Sequence, residues 1–100
     1  MSTPEGLLKT KIRKMLTNKG IFWSSIQGGP GSKPGDPDLI ICLNGRFVGL
    51  EVKSQSGRQS PIQKVRQEQI VNSGGEYHIV RTLREVEELI GEKNEVDISE

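Results

Sequence analysis

Asn44-Gly45 is the dipeptide that most limits how this chain can fold. A two-residue hairpin turn of type I′ needs positive φ at both central positions, and Asn-Gly tolerates that better than most pairs. Apolar runs flank it at residues 39–43 and 47–52, so the spacing predicts a β-hairpin. With a two-residue turn, Leu43 faces Arg46 and, counting outward, Asp38 faces Glu51. Alternation then places Leu39, Ile41, Leu43, Val48, Leu50 and Val52 on one uniformly apolar face, which must be core. Asp38, Ile40, Cys42, Phe47, Gly49, Glu51 and Lys53 share the other face. That face is apolar enough to need covering too, and the first helix is expected to cover it. A three-residue turn would break the parity.

Opposed side chains on a sheet have Cβ atoms about 5 Å apart, and like charges there are destabilising. Two acids can share such a place if one is protonated, if a base neutralises them, or if a cation binds. Hard oxygen ligands in an incomplete protein shell suit Mg²⁺, which keeps waters and takes one or two carboxylates plus a phosphate. Lys53 adds a positive charge beside the same spot, where it could act on a water or on a charged phosphoryl transition state. The spacing alone equally allows a surface ion pair at a hairpin end, with Lys53 on Asp36 or Glu51 and Asp38 capping a turn.

The rest of the chain reads as one domain over residues 1–91, followed by an acidic tail over 92–100. Ser2, Thr3 and Pro4 open a helix whose inward stripe is Leu8, Ile12, Met15 and Leu16, closed by Gly20. Residues 21–26 read as a strand, and residues 27–35, with four glycines and two prolines, as a mobile loop. Ser60-Pro61 starts a second helix that ends at Gly74-Gly75. Its apolar residues, Ile62, Val65, Ile70 and Val71, form only a thin stripe, leaving one side wet or against a partner. Residues 77–80 form a short strand. Thr82 with Glu85 reads as a capping box before a third helix, with Leu83, Val86, Leu89 and Ile90 inward and Gly91 as its stop. The fold class is α/β, a small mixed sheet flanked by helices in the order α-β-β-β-α-β-α.

Composition excludes several classes. No apolar stretch is long enough to span a membrane. The first residues lack the basic start and apolar block of a secretory signal. Cys42 is the single cysteine, so no internal disulfide forms; it reads as a small buried hydrophobe in a reducing, cytoplasmic setting. Net charge is +1, but residues 1–81 carry +6 and residues 82–100 carry −5. A basic body with an acidic tail suits a polyanionic ligand.

Pro37-Asp38, twelve residues, then Glu51-Val52-Lys53 resembles the signature of the PD-(D/E)XK nuclease superfamily. Gly35-Asp36-Pro37-Asp38, Ser60-Pro61-Ile62-Gln63 and Gly74-Gly75 before a strand are similar to its VRR-NUC branch, in the compact standalone form of phages and bacteria. The resemblance covers roughly residues 3–91. It implies Mg²⁺- or Mn²⁺-dependent hydrolysis of DNA phosphodiesters with no nucleotide cofactor. Asp38, Glu51 and the Val52 carbonyl would be metal ligands, Lys53 catalytic, and Glu5 and Gln63 further members of the site. It also implies a homodimer acting on branched DNA such as four-way (Holliday) junctions. Val80-Arg81-Thr82 is the nearest counterpart of the family's Val-Arg-Arg and lacks its second arginine, so Arg81 is given no role.

Glu5 also fits a cap with Ser2 at a helix N-terminus, and Gln63 also fits a solvent-facing position. His78 reads as packing, and Phe22 and Trp23 as core, with stacking on a base as their other use. Ser32 and Lys33 in the glycine-rich loop, with Arg58, Lys64 and Arg66, are candidates for gripping backbone phosphates. Beside the endonuclease stands a second reading, a DNA-binding or recruitment module on the same fold with no catalysis.

Overall fold

The computed structural model describes residues 3–26 and 30–94, with side chains described through residue 91. Its elements are α1 (Pro4–Asn18), β1 (Trp23–Ser25), β2 (Leu39–Leu43), β3 (Arg46–Val52), α2 (Pro61–Asn72), β4 (Glu76–Val80) and α3 (Leu83–Asn94). This is the order the sequence predicts. The four strands form one sheet in the order β1-β2-β3-β4, antiparallel until β4 joins β3 in parallel.

The hairpin has the expected register, with Leu43 opposite Arg46 and Leu39 opposite Leu50. Asn44 and Gly45 both take positive φ, 55° and 79°, as a type I′ turn requires. The parity therefore holds: Leu39, Ile41, Val48, Leu50 and Val52 are fully buried and Leu43 nearly so. Ile12 and Leu16 of α1 and Val86, Leu89 and Ile90 of α3 close over them.

That packing corrects the expectation that α1 covers the Asp38 face. The uniformly apolar face takes both helices that have strong apolar stripes. The acid-bearing face is left to α2, in which no residue is fully buried. Coverage there is thin. Cys42 is exposed rather than buried, and Phe47 is 46% exposed. Phe22 is also solvent-facing, whereas Trp23 packs against the core and donates its indole N–H to Thr17 Oγ1 at 2.8 Å.

Other boundaries follow local chemistry. Thr3, not Ser2, caps α1, its hydroxyl accepting from Gly6 N at 2.9 Å; Ser2 lies outside the described residues. Ser60 and Gln63 form a reciprocal capping box on α2. At α3 only half of the expected box forms. Thr82 Oγ1 accepts from Glu85 N, while the Glu85 carboxylate takes the Arg81 N–H. Gly91 does not stop α3, which runs to Asn94. A single helical glycine is tolerated when the residues after it, here Glu92 and Lys93, are good helix formers. Residues 27–29 and 95–100, parts of the expected loop and tail, lie outside the described residues.

From Lys33 onward the glycine-rich segment is pinned rather than loose. Arg66 of α2 pairs with Asp36 at 3.1 Å and donates to the Pro34 carbonyl at 3.0 Å. Asp36 in turn accepts from Lys33 N at 2.9 Å. Gly35 sits at φ +91°, and a Cβ there would lie 2.7 Å from the Ile62 carbonyl oxygen. This close approach delivers Pro37 and Asp38 to the end of β2. We predict that Gly35→Ala destabilises the fold by about 3 kcal/mol, combining left-handed backbone strain with a backbone clash. Gly74→Ala, at φ +100° with open space around it, should cost only about 1–2 kcal/mol from strain. Urea unfolding of both variants checks this; equal losses would contradict the docking of the loop on α2.

Candidate active site

Asp38 immediately precedes β2, and its backbone N–H bonds to the Leu50 carbonyl at 3.0 Å, continuing the hairpin ladder. Beyond that point its side chain replaces the ladder: Oδ2 accepts the Val52 N–H at 2.7 Å. This bond ties the acid of one strand to the far end of the other. The remaining oxygen, Oδ1, meets the ammonium of Lys9, one turn into α1, at 3.2 Å.

Glu51 is 0% exposed, inside β3. A buried carboxylate is costly unless its charge is answered and its oxygens are bonded. Oε1 is well supplied: the Tyr77 hydroxyl donates to it, and Gln59 Nε2 approaches at 3.4 Å. Gln59 also donates to Gln67 Oε1 at 2.9 Å, which fixes it between β3 and α2. Oε2 is buried with no hydrogen-bond donor. Lys53 Nζ lies 3.4 Å from it, near enough for charge attraction but not aligned as a hydrogen bond. The surface ion pair that spacing alone allowed is thus not what forms. The pair is Lys53 with Glu51, but its members are 17% and 1% exposed, and Asp36 is engaged by Arg66 instead.

The structure therefore gathers Asp38, Glu51, Val52 and Lys53 at the diverging end of the hairpin. Each acid has one oxygen fastened to a donor and one oxygen that meets an ammonium. Glu5 stands half-buried, one helical turn before Lys9 in α1. Among the described residues no three His, Cys, Asp or Glu side chains converge as a ready-made metal cluster. Gln63 is occupied elsewhere: its Oε1 accepts the Ser60 N–H at 2.8 Å in the capping box. The glutamine that reaches an acid is Gln59, which Gln67 holds in place from α2. His78 is half-buried and beside Glu76, with its ring Nε2 3.0 Å from the carboxylate.

Of the proposed phosphate contacts, Lys33, Arg58 and Lys64 are exposed and Ser32 is half-buried. Arg66 is committed to Asp36, Pro34 and Gln69, so it holds the loop rather than offering its charge outward. Arg81, left without a role above, acquires one. Its guanidinium donates to the carbonyls of Ser54 at 2.7 Å and Gly57 at 2.6 Å. It thereby clamps the loop that follows Lys53.

Tyr77, Gln59 and Lys9 are the residues that sequence reasoning missed. Tyr77 lies opposite Gly49 in the parallel β3–β4 ladder, two residues along from the Glu51–Ile79 pair, so it shares the acid face. Gly49 makes that possible, since a Cβ there would meet the Pro37 ring at 2.9 Å and the Tyr77 ring at 3.6 Å. A glycine in a buried strand, with a tyrosine in the next strand, was the available signal.

Two solved structures share this fold over nearly the whole chain. One, described as a VRR_NUC domain, superposes with a TM-score of 0.76 at 23% identity, covering 89% of this chain and 96% of its own. Another, described as a VRR_NUC domain protein, gives a TM-score of 0.74 at 19% identity, covering 96% of this chain and 92% of its own. No family profile matches the chain, and no curated protein matches it. The fold is that of the VRR_NUC domains.

Burial pushes the Tyr77 hydroxyl well above the ordinary phenol range, reinforced by its bond to Glu51 and the negative charge there, while hydrogen bonding with Gln59 pulls the other way. The folded protein thus holds this proton more tightly than the unfolded chain. The stabilisation is complete below the ordinary value of 10.0 and is lost as pH rises through the folded value. Tyr77 is the single tyrosine, so tyrosinate absorbance reports it alone. We expect that signal to appear only as the chain unfolds in alkali; ionisation near pH 10 in the folded protein would contradict the burial. Tyr77→Phe should cost about 1–3 kcal/mol by removing a donor from the buried Glu51 carboxylate, read by urea unfolding.

Proposed function

We propose that this chain is a divalent-metal-dependent DNA endonuclease that hydrolyses phosphodiesters in branched DNA, four-way junctions among them, as a homodimer. The observation that carries the reading is the pair of half-satisfied acids. Among the described residues, Asp38 Oδ1 and Glu51 Oε2 each meet a lysine ammonium, and Glu51 Oε2 is buried without a hydrogen bond. Structural ion pairs are normally completed by donors on both oxygens. Oxygens left open beside positive charge fit a site that takes a cation. The described structures with this fold add support through their nuclease-domain names.

The residues fit Mg²⁺ or Mn²⁺: two carboxylates, with the Val52 carbonyl as a third oxygen, form the hard and incomplete shell such ions prefer. A divalent ion bound there supplies Lewis-acid activation of water and of the phosphoryl oxygens. Everything else falls to this chain's own groups. Hydrolysis adds a water oxygen to phosphorus as the bond to the leaving oxygen breaks in line, and negative charge builds on the phosphoryl oxygens. Lys53, fixed against Glu51 and mostly shielded from solvent, supplies positive charge where that build-up occurs. Tyr77 and Gln59 hold Glu51 by its other oxygen, and the Val52 N–H does the same for Asp38. Arg81 keeps the following loop in place. Lys33, Arg58 and Lys64 would grip backbone phosphates without regard to sequence.

A homodimer would give two symmetric sites for the two strands of a junction. α2 offers a surface for it, since Ile62, Val65 and Val71 are about half exposed, at 44%, 46% and 50%. The test is a synthetic four-way junction incubated with the protein and Mg²⁺ or Mn²⁺. Cutting should fall by about 100-fold or more in Lys53→Ala and in Asp38→Asn. Undiminished cutting by both variants would overturn the assignment, and tight junction binding without cutting under either ion would favour the non-catalytic module.

A further inference from the structure

We propose that Lys9 is a resident counter-ion of the metal site, occupying the open oxygen of Asp38 until a divalent ion displaces it. The inference rests on the metal-binding reading above and assigns a role to a residue outside the hairpin motif.

The pairing is specific. Asp38 Oδ2 is held by the Val52 N–H at 2.7 Å, so this carboxylate cannot turn both oxygens to an incoming ion. Oδ1 is the oxygen left for coordination, and Lys9 Nζ is 3.2 Å from it. The Lys9 side chain is 26% exposed, against 11% for Asp38. It thus approaches from the rim, while the acid sits inside. Lys53 makes the equivalent contact on Glu51 from a more buried position, 17% exposed.

The charge balance follows. Without metal, two carboxylates meet two ammoniums, so the site is close to neutral and buried charge is answered. That balance explains how opposed acids coexist in the absence of an ion. It also opposes metal entry, because a divalent cation would join two positive charges already in place. One of the two must withdraw. Lys53 is bounded by the strand end and by the loop that Arg81 clamps. Lys9 stands on the outer part of α1, with a flexible four-carbon stem that can carry its ammonium back into water. It is the group that can leave, so its attraction for Asp38 is subtracted from the metal affinity.

The test is calorimetric titration of Mn²⁺ into the native protein, Lys9→Met, Lys9→Gln and Lys9→Arg, with circular dichroism confirming the fold of each. Removing the charge should tighten Mn²⁺ binding about two- to fivefold, the scale of a partly exposed ion pair given up on binding. Lys9→Arg should bind like the native protein. In thermal melts without metal, Lys9→Met and Lys9→Gln should unfold at a lower temperature than native, and Mn²⁺ should raise their melting temperatures by more than it raises the native one. Equal or weaker Mn²⁺ binding by both neutral variants, with the native protein binding normally, would overturn the role of Lys9 and leave the metal site standing. No Mn²⁺ binding by any of the proteins would overturn both.

Discussion

A carboxylate with no solvent around it persists only if something answers its charge, and the placement of Glu51 inside β3 is the constraint around which this molecule is organised. Its Oε1 draws in the Tyr77 hydroxyl from β4 and Gln59 from the loop before α2. Those contacts cross three elements. They set β4 against β3 and α2 against the sheet at the same point, on a face where α2 itself buries little. The Asp38–Val52 bond does the same for the opposite strand. Polar satisfaction at one end of the hairpin thereby takes on packing work that the apolar face leaves to α1 and α3.

The hairpin was legible from residues alone because its determinants are local. Asn44-Gly45 specifies turn type, turn type specifies register, and register sorts every side chain from Asp38 to Lys53 onto a face. The helices were legible for the same reason, through Pro4, Ser60 and the apolar stripes of α1 and α3. The covering of each face was not legible. Which helix crosses to which side depends on comparing the apolar stripes of all three, and the two stronger ones took the uniformly apolar side. Cys42 and Phe22 went astray with that choice, since both were assigned to covered surfaces and both are exposed among the described residues.

At the site, the acids and Lys53 emerged from spacing, but their partners did not. Tyr77 meets Glu51 through a parallel register set by the whole length of α2 and its connections, which no dipeptide encodes. Gln59 and Gln63 illustrate the difficulty: they are four residues apart on one segment, and the capping requirement of α2 claims Gln63 while freeing Gln59 to face the acid. Arg66 and Lys33 looked alike as candidates for gripping a backbone phosphate. Only the fold shows that Asp36 engages the side chain of one and just the backbone of the other.

The central claim is that Asp38 and Glu51 form one cation site at the mouth of the hairpin. Anomalous diffraction from crystals soaked in Mn²⁺ tests it without reference to activity or substrate. The account predicts a manganese peak in contact with Asp38 Oδ1 and Glu51 Oε2. Crystals that take up manganese only at other positions, with both lysine pairs still closed, would contradict it.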